Sequence, residues 1–413
     1  MASSEQGKHV TQVQPPPVRR LWSAVFFGYL ALGATLQELP GYMTSKFGDG
    51  PTIIGVAVGI AYLGTAVTRP FAGRAGDAGL ARNVSVAGGA ITTLAALGQL
   101  TAPSALVLII FRLLMGIGEG ALFSGCLPWV LTGIAADRRG RIAGWFGLSM
   151  WGGLALGPLA AVGVNHLGGS TATWWTIFGL PLVSSVLIAS TRPQPAVSPR
   201  REIRPQGWRD IVPIGVSVPG IVLGLAAYGY GTLNALLVLY LTHDHIGGQG
   251  IGLTVFAVAF LATRAAGSPL TDQYGGIRVA RVTLVVEIAG LCVLAASSSQ
   301  GGALAGCVVT GIGLGVIYPS TSKITLGRTG PLQAGVSMGT MTSFWDLGIM
   351  AAGPISGAVA AHLGYREGFG VAAAVTVAAL VLTVLGLHTD SPAEAPTSVP
   401  RSVPAGAQVR PRA

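Results

Sequence analysis

Charged side chains are scarce in this chain. They make up 10% of its 413 residues, while hydrophobic residues make up 51%; an ordinary soluble domain is about a quarter charged. With a mean hydropathy of +0.63, a water-soluble fold is excluded, because so much apolar surface cannot be hidden inside one domain. Cysteine is nearly absent. Cys126, Cys292 and Cys307 fall in apolar stretches at no metal-ligand spacing, which argues against a disulfide framework or a thiolate metal site and leaves small packing residues. No Walker phosphate loop is present, so ATP-driven chemistry is disfavoured. Histidine-rich or paired-acid catalytic patterns are missing from the apolar stretches, and the chain reads as no enzyme, with no cofactor and no metal expected. The HDH run, His243 to His245, offers two histidines and one acid and reads as surface loop rather than metal site.

What the chain does have is apolar length. Stretches of roughly twenty residues recur, each long enough at about 1.5 Å per residue to cross a hydrocarbon core of about 30 Å. Twelve are recognisable: 21–39, 52–70, 84–101, 104–131, 141–163, 174–190, 211–241, 250–268, 279–297, 302–322, 334–360 and 367–387. Only helices and closed barrels satisfy their backbone in lipid, so the expected fold is an all-α integral membrane bundle. The first stretch follows Arg19 and Arg20, yet it is too long for a signal peptide, and LQELPGY after it offers no small-residue cleavage site.

A formal charge of +10 could suggest nucleic acid, but the basic residues form no patch. Alternate loops collect Arg69, Arg74 and Arg82, then Arg138, Arg139 and Arg141, then Arg192 to Arg209, then Arg264, Arg278 and Arg281, then Lys323 and Arg328. Only Lys46 and Arg366 fall in the opposite loops, and Arg112 lies inside a span. This is the positive-inside asymmetry of a multi-pass protein with both termini cytoplasmic. The bilayer is the expected partner and nucleic acid is not. Arginine outnumbers lysine 22 to 3, which, with abundant Ala and Gly, points to a GC-rich bacterial genome and hence a bacterial inner membrane.

A polar, Pro- and Arg-rich stretch, residues 191–210, divides the spans six and six. The expected organisation is an amino-terminal tail (1–20), a six-helix bundle (21–190), a cytoplasmic linker (191–210), a second six-helix bundle (211–388) and a disordered tail (389–413) rich in Pro, Ala and Ser. The halves overlay. A shift of 195 residues carries Arg69 onto Arg264, Asp77 onto Asp272, Gly144 onto Gly339 and Gly153 onto Gly348; one added residue aligns Gly157 and Pro158 with Gly353 and Pro354. Duplicated halves are a usual architecture of secondary transporters, with the substrate site between them near the midplane.

Three motifs then carry a family resemblance over residues 21–388. The loop after the second span, TRPFAGRAGDAGLARN, supplies Gly73, Asp77 and Arg82, with Leu80 where a further glycine is expected; LTDQYGGIR in the second half supplies Asp272, Gly275 and Arg278. The fourth span contains RLLMGIGEG, an arginine (Arg112) followed by Gly116, Gly118 and Gly120. The fifth span spaces Gly144, Gly153, Gly157 and Pro158 as glycine, eight residues, glycine, three residues, then Gly-Pro, with Ala161 and Val162 replacing two final glycines. On these motifs the chain resembles the major facilitator superfamily, and within it the exporters of drugs and metabolites that exchange substrate for protons. The resemblance implies a fold of twelve transmembrane helices in two pseudo-symmetric halves, alternating access, and a monomer carrying a small-molecule substrate and protons. It also implies that Asp77 and Asp272 lie beside the amino ends of spans eleven and five, where helix N–H groups favour negative charge and latch the cytoplasmic side.

Independently of the family, small residues at helical spacing let helix backbones approach, so the glycines of span five should form a packing seam beside the opened backbone at Pro158, with Gly348, Gly353 and Pro354 as their counterparts. Four acids fall inside spans. Glu119 lies two turns from Arg112 on nearly the same face, and Glu38 lies near the outer end of span one; an Arg112 exchanged between these acids is the expected proton coupling, since a partner cation and desolvation pull a carboxyl in opposite directions. Asp346 either faces the same cavity or caps the seam near Gly348. Glu287 reads as a structural or snorkelling acid. Trp129, Trp145, Trp151, Trp174, Trp175 and Trp345 read as interface anchors or cavity walls. The expected function is proton-coupled export of small lipophilic organic molecules. Uptake on the same fold and a non-transporting receptor are the alternatives.

Overall fold

The computed structural model describes residues 17–131, 136–192, 214–329 and 334–387, and among these all regular structure is helical. The 1–16 tail, all but the first two residues of the 191–210 linker and the tail from 388 onward lie outside the described residues. The helices are α1 (Val18–Phe47), α2 (Pro51–Ala75), α3 (Ala81–Leu100), α4 (Ala105–Leu131), α5 (Ala136–Ala189), α6 (Ser217–His243), α7 (Gly252–Tyr274), α8 (Gly276–Ala296), α9 (Gln300–Gly315), α10 (Ile317–Thr329), α11 (Ala334–His362) and α12 (Tyr365–Gly386).

Local chemistry sets several of these ends. Helix α1 stops at Gly48, whose left-handed backbone (φ 71°) turns its N–H back to the Met43 and Thr44 carbonyls. Helix α2 then starts with Pro51, whose fixed φ and missing N–H suit a first turn. The α5 span is two passes. At Gly169 the backbone takes φ 70°, ψ −176°, outside any helix, and both legs run along α1. The Trp22 indole donates to the Trp145 carbonyl (3.1 Å) and Arg20 Nε to the Leu187 carbonyl (3.1 Å). The start of one leg and the end of the other therefore meet the same end of α1, which makes α5 a helical hairpin. Helices α9 and α10, interrupted at Val316, form one pass, Gln300–Thr329.

With these two adjustments the described residues make twelve passes. Eight apolar segments are long enough to span a membrane; the α5 hairpin makes one of them two passes, and α1, α3 and the shorter apolar stretch of α7 complete the set. In the first half α1 packs along α5, and α4 lies against α2 and α3. In the second, α6 packs on α11 and α12, α8 on α9 and α12, and α7 on α9. Between halves, α2 meets α11 and α5 meets α7.

Arginines on the termini face do more than bias topology. Arg82 donates to the Ala189 (2.7 Å) and Thr191 (3.1 Å) carbonyls at the end of α5, and Arg281 to the Leu387 (2.9 Å) and Thr383 (3.1 Å) carbonyls at the end of α12. The last helix of each half thus has its unpaired carbonyls met by a cation, which also complements the helix dipole.

Candidate functional site between the two halves

The fourth-span glycines seat α4 between two neighbours. A side chain on Gly116 would strike the Ala61 carbonyl of α2, one on Gly118 would strike Thr92 of α3, and one on Gly120 would lie 3.0 Å from Thr65 of α2. This approach brings α2 carbonyls to Arg112, which is fully buried and donates to Ala57 O (3.0 Å) and Val58 O (3.4 Å). In this conformation the Arg112 guanidinium thus meets the backbone of α2, and the ion pairs found among the described residues do not include the expected pairing of Arg112 with Glu119 or Glu38. Glu38 lies at the far face, accepting from Asn165 Nδ2 (3.0 Å) and Ser170 Oγ (2.5 Å), and so clamps the two sides of the α5 turn around Gly169.

Between the halves, Arg69 reaches an acid. The sequence pattern placed Arg69 and Arg264 in loops, but α2 runs on to Ala75 and α7 to Tyr274, so both are helical and face the other half. Arg69 Nε donates to Asp346 Oδ2 at 2.7 Å, with the two side chains 8% and 2% exposed. Its Nη2 lies 3.9 Å from Met150 Sδ and its guanidinium 5.7 Å from the Phe123 ring. Glu119 is within electrostatic reach of the same arginine. It is fully buried, and among the described residues neither of its carboxyl oxygens has a hydrogen-bond partner; Tyr29 beside it donates to the Glu119 backbone carbonyl (3.2 Å). Arg69 and Asp346 thus form an ion pair across the interface, with Glu119 buried on α4 in the electrostatic field of the same arginine.

Arg264 makes the matching crossing from the second half. Its guanidinium lies 4.7 Å from the Trp151 ring of α5, 4.9 Å from Tyr318 and 5.7 Å from Phe260. Trp151 meets Phe260 at 5.0 Å and stands edge-on to Trp345 at 5.7 Å, and Trp345 meets Tyr230 at 5.6 Å. These rings form an aromatic wall contributed by both halves. The repeat offset of 195 that pairs Arg69 with Arg264 also pairs Trp151 with Asp346. The two crossings are therefore the same contact made twice, once with a carboxylate and once with an indole.

The glycine-rich seams divide by partner. A side chain on Gly153 would lie 2.6 Å from the Phe26 carbonyl, and one on Gly157 2.5 Å from Ala34 N, so these glycines pack α5 against α1 in their own half, and Pro158 next to them is buried. Gly348 meets the Gly224 carbonyl of α6 in the same way. Gly353 instead meets Gly55 of α2, and Pro354 lies beside Gly59, across the halves. A side chain on Gly357 would be 2.5 Å from the Pro51 carbonyl, and Gln37 Nε2 donates to Gln249 O (3.2 Å). The halves are thus closed together at the face opposite the termini.

The second-to-third-span loops contain a glycine at positive φ in each half, Gly79 (87°) and Gly275 (84°). The turn that Leu80 seemed to lack is made one residue earlier. Gly73 has open space around it, and Arg278 is exposed. The side chains of Asp77 and Asp272, and the surroundings of Gly144, lie outside the described residues. Glu287 is fully buried in the second half, where Thr376 Oγ1 donates to it (3.3 Å). His243 pairs with Asp244 (2.8 Å), which also lies 3.7 Å from Arg366. Among the described residues no group of three or more His, Cys, Asp or Glu could hold a metal.

The family model described as Major Facilitator Superfamily matches residues 21–223 and again 219–411, one match for each half. The chain belongs to this superfamily. A Salmonella typhimurium transporter of the superfamily, itself uncharacterised, is 31% identical over 383 residues, covering 89% of this chain and 96% of the relative. An uncharacterised transporter of the same type from Burkholderia pseudomallei is 28% identical over 371 residues, covering 88% and 90%. Among solved structures, a mutant of the nucleoside transporter NupG matches with a TM-score of 0.73 at 14% identity, covering 90% of this chain and all of that one. The human organic anion transporter MFSD10 matches at 0.69 and 17%, covering 89% and all of that chain. Both show the fold. As a member of the superfamily, the chain is a multi-pass membrane transporter of small molecules.

Proposed function

We propose that this transporter is a proton-coupled exporter of small, lipophilic, ring-bearing organic molecules in the bacterial inner membrane, working as a monomer with both termini cytoplasmic. The observation that carries the reading is the buried Arg69–Asp346 pair joining α2 to α11 beside the aromatic wall. In that orientation the closed face is extracellular, and the site is poised toward the cytoplasm. Export is supported by the spaced glycines and Pro158 of α5, which resemble the exporters' motif; the arginine distribution supports the orientation.

Coupling follows from one guanidinium and two carboxyls. Removing a partner from a buried ion pair costs about 3–5 kcal/mol, far more than the 1.36 kcal/mol that corresponds to one pKa unit. While the halves meet, Arg69 holds Asp346. When they rotate apart, Arg69 loses Asp346 and turns to Glu119, and the carboxyl it leaves takes up a proton. Asp346 and Glu119 thereby exchange a proton against the position of Arg69, and the proton's return toward the cytoplasm resets the pair.

Purified protein in proteoliposomes, assayed with a panel of lipophilic compounds and an imposed pH gradient, tests the reading. Glu119→Gln should retain downhill exchange and lose gradient-driven accumulation, and Asp346→Asn should lose both. Full gradient-driven transport by both variants would remove these carboxyls from the mechanism.

A further inference from the structure

The end of α5 on the termini face carries more positive charge than capping a helix requires. Arg20 of α1 donates from Nε to the Leu187 carbonyl (3.1 Å) and from Nη2 to Ser190 Oγ. Arg82 of α3 donates from Nη2 to the Ala189 carbonyl (2.7 Å) and from Nε to the Thr191 carbonyl (3.1 Å). Two guanidiniums from different helices therefore stand on one last turn, and Arg192, which is exposed, follows it directly. The ion pairs found among the described residues include none of these three arginines. A helix carboxyl end is equivalent to roughly half a negative charge, so the place is left net positive. We propose that it binds the phosphate of an anionic phospholipid, with an acyl chain lying along the seam between α3 and α5.

Three features point to this partner. First, a guanidinium has five N–H donors in a planar fork. Arg20 and Arg82 each use Nε and Nη2 on the chain itself, which leaves Nη1 and the second Nη2 hydrogen of each for phosphate oxygens, the geometry that arginine matches best. Arg20 and Ser190 are exposed, so the cluster is open to a headgroup. Second, an apolar strip leads away from it. Thr93 and Ser185 share a hydrogen bond (3.0 Å) that holds α3 against α5, and along the same stretch Ala90, Leu182 and Val186 are exposed, Val186 by 58%. A small side chain beside two larger ones leaves room for a chain about one turn below the arginines. Third, charge selects among lipids. A zwitterionic headgroup brings its own cation to a cluster of cations, and an anionic one does not. At the end of α12 the corresponding pair, Arg281 and Arg328, is less open, since Arg281 Nε is buried.

Native mass spectrometry of detergent-purified full-length protein, titrated with phosphatidylglycerol or phosphatidylcholine of identical chains, measures the affinity for the first lipid bound. A basic residue beside an anionic headgroup is worth about fivefold in affinity, so phosphatidylglycerol should bind wild type roughly twentyfold tighter or more. Arg20→Gln combined with Arg82→Gln should bring that ratio down to about fivefold or less. Arg278→Gln combined with Arg328→Gln removes equal charge from the same face of the other half and should leave it unchanged. Glycerol phosphate, the headgroup without chains, should not displace the lipid at equal concentration. If the first double variant does not fold, photoreactive phosphatidylglycerol carries the test on wild type, where it should label residues 82–90 and 182–192. The proposal is overturned if the two lipids bind wild type alike, if the preference survives in a folded Arg20→Gln/Arg82→Gln protein, or if the charge-matched control loses it equally. It is overturned as well if glycerol phosphate competes as effectively as the lipid, or if labelling falls outside those segments. No substrate or gradient is present, so a failed transport scheme leaves this assignment standing, and the reverse holds too.

Discussion

Arg69 with Asp346 and Arg264 with Trp151 occupy equivalent places in the two halves and behave differently. The first is an ion pair at 2.7 Å, and a proton can cancel it. The second includes a cation over a ring at 4.7 Å, and an indole takes up no proton near neutral pH. The repeat puts both crossings at equivalent positions, and what differs is the group met, a carboxylate in one and an indole in the other. Two chemically different contacts can therefore be built on one repeated geometry by changing the side chain at one end of it.

The most damaging way to break the comparison is Asp346→Ala. It strands a buried guanidinium and should cost about 3–5 kcal/mol, read as a large fall in unfolding temperature in detergent. Arg69→Met combined with Asp346→Leu should recover most of that stability, because an apolar pair of similar volume avoids the desolvation penalty, yet spin-label distances between the halves should no longer respond to pH.

At the other crossing, Trp151→Leu should cost about 2 kcal/mol or more, as befits a desolvated cation–π contact, with the pH response of the inter-half distances unchanged. An altered pH response there would show that the two crossings are not independent.

A third variant tests what the crossings act upon. Gly353→Val puts a side chain into the Gly55 backbone, so the far face should fail to close and labels at Asp49 and Leu363 should move apart. Unchanged distances would mean that the α2–α11 seam does not define the closed state. The smallest effect is expected from Arg82→Gln and Arg281→Gln. Each removes a cation from a helix end and should lower stability by about 0.3–1 kcal/mol, equally in the two halves if the repeat is functionally symmetric there.

The sequence by itself determined much of this. Apolar length required a helical membrane bundle, the offset of 195 revealed two halves, and the spaced glycines marked the helices that approach closely. Trp151 and Trp345 were legible as wall candidates, and Asp346 as an acid facing the interior or the seam. The arginines were not. Arg69 and Arg264 sit where hydropathy falls, so they read as loop residues, although α2 and α7 continue for about a turn and a half or more beyond them. Arg112, deep in an apolar run beside Glu119, seemed the natural partner for an acid. Only tertiary structure decided which cation meets which carboxyl, because a guanidinium at the end of a long side chain chooses among groups from other helices, and that choice depends on backbone approach. Gly116 brings α2 carbonyls to Arg112, and the meeting of α2 with α11 brings Asp346 to Arg69. A one-dimensional pattern records which faces are apolar and which residues are small. It does not record which face of the other half stands opposite, and the pairing at this site is a property of that contact.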